Sequence, residues 1–278
     1  MTITQTHTTN ADGVSFGGGQ QSMALMVMAA QGQLPYRRFY FCNVGDDTEY
    51  PGTLRYVERI TKPFAAEHGL EFIELRRVMQ TGPDRGQERT LLQDIRRPES
   101  RSIPFPMRVA NGAPGNRGCT ETYKRRLVAA ETRRRGATPE RPARLAIGIS
   151  LDEFTRATDS RIRHQINVHP LIDLNLRRTD CQRIITAAKL PVPPKSACWF
   201  CPMKTPGQWL RLKQETPLLF ADACQLEAEM IARRAALGKD PMYMTRFGVP
   251  LAEAIPDGVD ALPFFDEDQG CDDSACFT

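Results

Sequence analysis

Long apolar runs are missing from this chain. None of its 278 residues lie in a stretch approaching the ~20 apolar residues that a membrane helix needs, and mean hydropathy is −0.42. The first residues, MTITQTHTTNADG, are polar and hold no apolar segment of a secretory signal. The sequence therefore reads as cytoplasmic, with no membrane partner and a disordered tail over 1–12. No internal repeat is visible. A Lys-Ser/Thr ending is absent from the chain's one strongly Gly-rich turn, which excludes a Walker loop. No thioredoxin-like pattern precedes the CxxC pair, so a redox dithiol is disfavoured.

Charge of one sign is also scarce overall. Lys and Arg number 37 against 33 Asp and Glu, a formal net charge of +4. The distribution is uneven. YKRRLVAAETRRRG carries Lys124, Arg125, Arg126, Arg133, Arg134 and Arg135, whereas FFDEDQGCDD near the end is acidic. A basic run of this kind is either a solvated helix face or a surface for nucleotide or nucleic-acid phosphate. Composition alone does not separate the two.

What is present is an alternation of strand and helix signals. A short strand ending at Ser15, then RRFYFCNVG and LEFIELRRV, read as strands. A helix apolar at Met23, Leu25, Met26, Met28 and Ala29 and ending near Gly32, and TLRYVERITKPFAAEHG, read as helices between them. This order predicts an α/β fold, a doubly wound and mostly parallel sheet. Residues 80–118 are rich in Arg, Gly and Pro and show no period. CTETYKRRLVAAETRRRG reads as a helix, ARLAIGIS as a buried strand, NVHPLIDL as an extended segment and RTDCQRIITAAKL as a helix. PVPP then breaks the chain, and a helix is expected from Pro217 to Gly238. The nucleotide-binding domain is placed at 13–190 and a Cys-bearing helical region with a tail at 191–278.

The turn SFGGGQQS lies between the first strand and the first helix. Glycines at 17, 18 and 19 let phosphate oxygens approach the backbone. The helix N-terminus behind them offers free N–H groups and a partial positive charge. Ser15 and Ser22 add hydroxyls, and Phe16 and Gln20 complete the loop. A plain tight turn is the competing reading.

Eight cysteines stand at 42, 119, 181, 198, 201, 224, 271 and 276. Without a signal segment, metal binding or redox chemistry explains some of them better than disulfides do. Cys42, Cys181 and Cys224 fall in strand and helix patterns and read as core fillers. Cys198 and Cys201, in SACWFCPM, could hold a metal if two further thiolates join them. Cys271 and Cys276 in the tail are the favoured partners, with Cys119 as the alternative. Asp46, Asp47, Thr48 and Glu49 follow the second strand and could meet adenosine or Mg²⁺. Asp152 and Glu153 follow ARLAIGIS in the same way, and Arg156 could pair with them or with phosphate.

Taken in order, these segments resemble the PP-loop superfamily of adenine-nucleotide alpha hydrolases, and within it the phosphoadenosine phosphosulfate and adenylylsulfate reductases. SFGGGQQS resembles S-F-S-G-G-K-D-S, and NVGDDTEYPGTLRYV resembles D-T-G-x-x-F-P-E-T. GCTETYKRRLV, AIGISLDEFTR and NVHPLIDLNLRRTDCQRIITAAKLPVP follow in the family's order, with SACWFC in the place of its CxxC. The resemblance covers about Val14 to Cys201. It implies an adenine nucleotide contacting the loop, Asp47, Arg117 and Glu153, and a [4Fe-4S] cluster, with zinc as the alternative from the thiolates alone. It also implies sulfonucleotide reduction or ATP-dependent sulfur transfer, in which Lys124 and Arg156 act and Cys276 is a nucleophile. A thiol, sulfur or electron donor protein and a nucleic-acid substrate would be its partners, and a homodimer stays open.

The departures are specific. Gln20 and Gln21 stand where the family has Lys and Asp, and Ser150 replaces its Arg. Its E-C-G segment is not recognisable, and its Cys-Cys pair is reduced to Cys119-Thr120. Arg101, Arg108 and Arg117 are expected to compensate for the missing loop lysine. The second class of reading is a non-catalytic nucleotide or nucleic-acid binder with a structural four-Cys zinc site.

Overall fold

The structure is a computed structural model that describes residues 9–98 and 100–258. Five strands form one sheet: β1 (Gly13–Phe16), β2 (Arg38–Cys42), β3 (Glu71–Leu75), β4 (Ala143–Ile147) and β5 (Gln165–Val168). Their order is β3-β2-β1-β4-β5 and every pairing is parallel. The mixed α/β architecture expected from the strand–helix alternation is thus present.

Period-two alternation in β2 explains why both faces of the sheet are covered. Phe39 and Phe41 enter one core with Val14, Phe16 and the helices α1 (Gln20–Ala30) and α8 (Arg178–Ala187). Tyr40 and Cys42 enter the other with Val128 and Leu145. Met23 through Val27 in α1 are all 0% exposed. At about 1.5–3 kcal/mol for each large apolar side chain, this helix is a principal contributor to the core. The sheet's N-terminal approach is also tied down: Asp12 Oδ1 accepts from the Arg144 N–H at 2.9 Å.

Between β2 and β3 the single expected helix is three pieces: α2 (Pro51–Tyr56), a π-helical turn (Val57–Thr61) and α3 (Lys62–Glu67). The aperiodic stretch contains α4 (Leu91–Arg96), started by Thr90 with a capping box to Gln93. Next come α5 (Gly118–Thr120), a second π-helical turn (Glu121–Arg125) and α6 (Arg126–Arg134). A 3-10 turn (Leu151–Arg156) follows β4. The expected extended segment NVHPLIDL is half strand, ending in β5, and half α7 (Pro170–Asp173). Pro170 at the helix start, with its fixed φ, suits that switch. At the C-terminal side lie α9 (Pro206–Glu215), α10 (Pro217–Ala236) and α11 (Leu251–Ala254).

By compactness the described chain forms two units, 9–89 with 122–197 and 90–121 with 198–258. The first holds the sheet. The second is organised on Trp209 and Phe220, whose rings meet edge to face at 6.5 Å. Its pin is Glu227, 2% exposed, which accepts the N–H of Met244 at 2.6 Å and of Leu251 at 2.5 Å. No described helix is long and apolar enough to cross a membrane.

Candidate functional site

In a 3-2-1-4-5 sheet the connections leave β1 and β4 in opposite directions, which opens a crevice at their C-terminal ends. The glycine turn follows β1 and the 3-10 turn follows β4, so both sit at this crevice. Only Gly18 of the three glycines has a positive φ, +78°. A Cβ there would lie 2.9 Å from Thr53 Cγ2 and 3.4 Å from Ser196 Oγ. Gly19 caps α1 in an extended conformation, and no side chain caps that helix. Its first turn holds no acidic residue, so the N–H end faces no competing carboxylate of its own.

Two polar atoms beside this turn are buried without a hydrogen-bond partner among the described residues. Gln20 is 5% exposed, and its Oε1 makes no hydrogen bond. Thr53 is fully buried, and its Oγ1 makes none either. Each such group costs about 1–3 kcal/mol unless a ligand or water satisfies it. Ser22 is internally satisfied, its hydroxyl donating to the Gly19 carbonyl at 2.9 Å. Phe16 turns into the core and meets Phe39, Phe41 and Phe72 edge to face. Ser15 is a ladder residue, in register with Tyr40 and Ile147.

A relay crosses the crevice. Gln21 Nε2 donates to Glu153 Oε2 at 2.8 Å, and Glu153 Oε1 pairs with Arg156 Nη1 at 2.7 Å. The two turns approach closely because Gly148 has no side chain: a Cβ there would lie 3.0 Å from the Ser22 nitrogen. Glu153 and Arg156 were expected near the loop from their place after β4, and they are joined to it. Gln21 was noted only as a departure, yet it is the residue that makes the link. A glutamine where a charged residue is usual was the available signal.

The carboxylates after β2 are occupied otherwise. Asp46 accepts from Arg76 and Asn43, and the Arg76 hydrogen bond holds its carboxyl below the usual range. Asp47 accepts from the Thr48 hydroxyl at 2.8 Å. Lys124 lies in the second π-helical turn, where its carbonyl accepts from the Cys42 thiol at 3.6 Å. Arg117 belongs to the other unit, as N-cap of α5. Arg108 is no exposed phosphate contact: it is 2% exposed and donates to the carbonyls of Gly112 at 2.8 Å and Pro202 at 3.3 Å.

The metal expectation is corrected. Among the described residues no group of three or more His, Cys, Asp or Glu is placed to hold a metal ion. The [4Fe-4S] cluster, its zinc alternative and a Mg²⁺ site on the carboxylates therefore have no support there. Neither has the reductase or sulfurtransferase built on such a cluster. The physical reason is ligand number: Cys198 and Cys201 give two thiols where such sites normally use four, and Cys119 does not complete a group with them. Cys271 and Cys276, named as ligands and nucleophile, lie outside the described residues. The CxxC turn instead delivers aromatics to the core. Trp199 and Phe200 are 5% and 1% exposed and meet edge to face at 4.8 Å, and Phe105 joins Phe200 at 5.4 Å. Burial pushes the thiols of Cys42 and Cys181 up to about 12 and that of Cys224 up to about 11. They are neutral fillers rather than ligands or nucleophiles at neutral pH.

No protein-family model matches the chain, and no curated protein matches it closely enough to be called a relative.

Proposed function

We propose that this protein binds the phosphate groups of a nucleotide at the Gly17–Gly19 turn and the first turn of α1, on a PP-loop version of the doubly wound sheet. The reading assigns no metal centre. Its single strongest support is the uncapped N-terminus of α1 behind the Gly17–Gly19 turn, beside the β1/β4 crevice, with the buried Thr53 hydroxyl unpartnered among the described residues next to it. In this reading the Thr53 hydroxyl donates to a phosphate oxygen, and the Gln20 Oε1, an acceptor, meets a hydroxyl or N–H donor of the same nucleotide. The α1 N–H groups stabilise the negative charge. Glu153 and Arg156, held by Gln21, wall the crevice on the β4 side. Adenine is the base that the resemblance of SFGGGQQS implies.

Because the loop is neutral, affinity comes from amides rather than from a lysine. An amide donating to phosphate contributes about 1.5–3 kcal/mol as a hydrogen bond to a charged group, but it adds no positive charge of its own as a lysine does. Binding is therefore expected to be weaker than at a lysine-bearing loop. Calorimetry with ATP, AMP and pyrophosphate tests this, with Gly18→Val as the blocked variant. Heat from ATP that falls at least about tenfold in affinity in a folded Gly18→Val protein supports the reading. Absence of binding to all three compounds by the wild type ends it.

A further inference from the structure

A second anionic-ligand surface lies on the first unit, outside the glycine-turn crevice. Arg126, Ala129, Ala130, Arg133 and Arg134 of α6 line a groove of about 490 Å³ with His164, the residue before β5. Every charged side chain lining it is an arginine. Ala129 and Ala130 form a low floor, which leaves the helix surface open to a ligand running along it. His164 is 5% exposed and donates from Nε2 to the Ala129 carbonyl at 3.0 Å, which fixes the ring against the floor.

The charge around the groove is in excess. Glu131 is already engaged by Arg134 at 2.7 Å and by Arg135 at 2.6 Å. Among the described residues Arg133 makes no side-chain hydrogen bond or ion pair, and neither do Arg141, Arg161 or Arg163. Arg141 and Arg163 each stand two residues before the first paired residues of β4 and β5, Ala143 and Gln165. Glu140 is the carboxylate of that turn, and hydrogen bonds to its own backbone and to Thr138 hold it below the usual range. Arginines without ion-pair partners keep their guanidinium groups available to a ligand. Their planar forks suit phosphate.

We infer that this groove binds the phosphate backbone of a single-stranded nucleic acid. Arg126 and Arg133 are seven residues apart, about 10 Å by helix rise. That separation lets the two guanidinium groups meet different phosphates of one strand. Arg163 and Arg141 extend the path across the strand entrances. The inference does not rest on the nucleotide site, since it uses none of that site's residues.

The test is fluorescence anisotropy of a labelled 12-nucleotide single strand, with the full chain, over a salt series. Arg133→Glu/Arg163→Glu is the disrupting variant and Arg133→Lys/Arg163→Lys the charge-preserving one. Wild-type binding should weaken linearly in log salt, at about −0.7 per phosphate engaged. The glutamate pair should lose at least about tenfold in affinity and reduce that slope by about 1.4, whereas the lysine pair should retain most of both. ATP binding by the glutamate pair, read by calorimetry, should be unchanged and so certifies its fold. No binding by wild type at low salt overturns the inference. So does equal binding by a glutamate pair that still binds ATP or melts like wild type. Equal displacement of the oligonucleotide by polyglutamate of matched charge overturns it as well, because the surface would then read charge without phosphate geometry.

Discussion

Gln20 is informative because its buried Oε1 has no hydrogen-bond partner among the described residues. A buried acceptor without a partner is destabilising unless a donor meets it. Two readouts should therefore separate in Gln20→Ala. Nucleotide affinity should fall about fivefold to tenfold, the value of roughly one hydrogen bond. Thermal stability without ligand should hold or rise. A melting temperature that drops while affinity stays constant would mark Gln20 as structural. Arg108 teaches the opposite lesson. Its place in a stretch rich in Arg, Gly and Pro points to a phosphate contact replacing the loop lysine, but its guanidinium is spent on two carbonyls of its own unit. Nothing local in the sequence marks a buried arginine; only its partners do.

At the scale of elements, sharp periodicity was readable and short helices were not. α1, α8 and α10 stand where apolar spacing and Gly or Pro boundaries put them. α4 and α9 were missed, although each begins with a Thr-x-x-Gln box. Thr90 and Thr205 sit in stretches whose Arg, Gly and Pro content hid a helix of 6 and of 10 residues. The π-helical turns at Val57–Thr61 and Glu121–Arg125 were invisible as well, since widening one turn leaves the residue pattern helix-like. The α9 box gives a direct test. Thr205 Oγ1 accepts from the Gln208 N–H at 3.3 Å, and Gln208 Oε1 accepts from the Thr205 N–H at 3.2 Å. Thr205→Ala should cost about 1 kcal/mol in chemical denaturation, and Thr205→Ser much less. Equal losses in both variants would show that the hydroxyl is not the source.

For the whole molecule, acid sensitivity follows from its ion pairs. Hydrogen bonds from Arg76, Arg135 and Arg134 hold the carboxyls of Asp46, Glu71 and Glu131 below their usual range. A folded value below the unfolded one gives stability that is present above the unfolded value and lost as pH falls through the folded one. The unfolded values are about 4, so the melting temperature should fall as pH drops below about 4. His169 adds to this from higher pH: burial holds it below its ordinary value of about 6.5, so its protonation opposes folding. Glu227 works in the other sense, because burial pushes its carboxyl up and its ionised form costs stability as pH rises. A melting curve flat from pH 6 to 3 would contradict the net expectation. By itself the sequence determined the strand–helix alternation, the parallel sheet and the position of the glycine turn. It also determined that Cys42 and Cys181 are core, since local period and burial demand travel together along the chain. Tertiary structure alone decided the β3-β2-β1-β4-β5 order and hence which two turns share the crevice. It joined Gln21 to Glu153 across 132 residues. It left Cys198 and Cys201 without a metal-holding group among the described residues. Each of these depends on groups distant in sequence meeting in register, and no local pattern of residues encodes such a meeting.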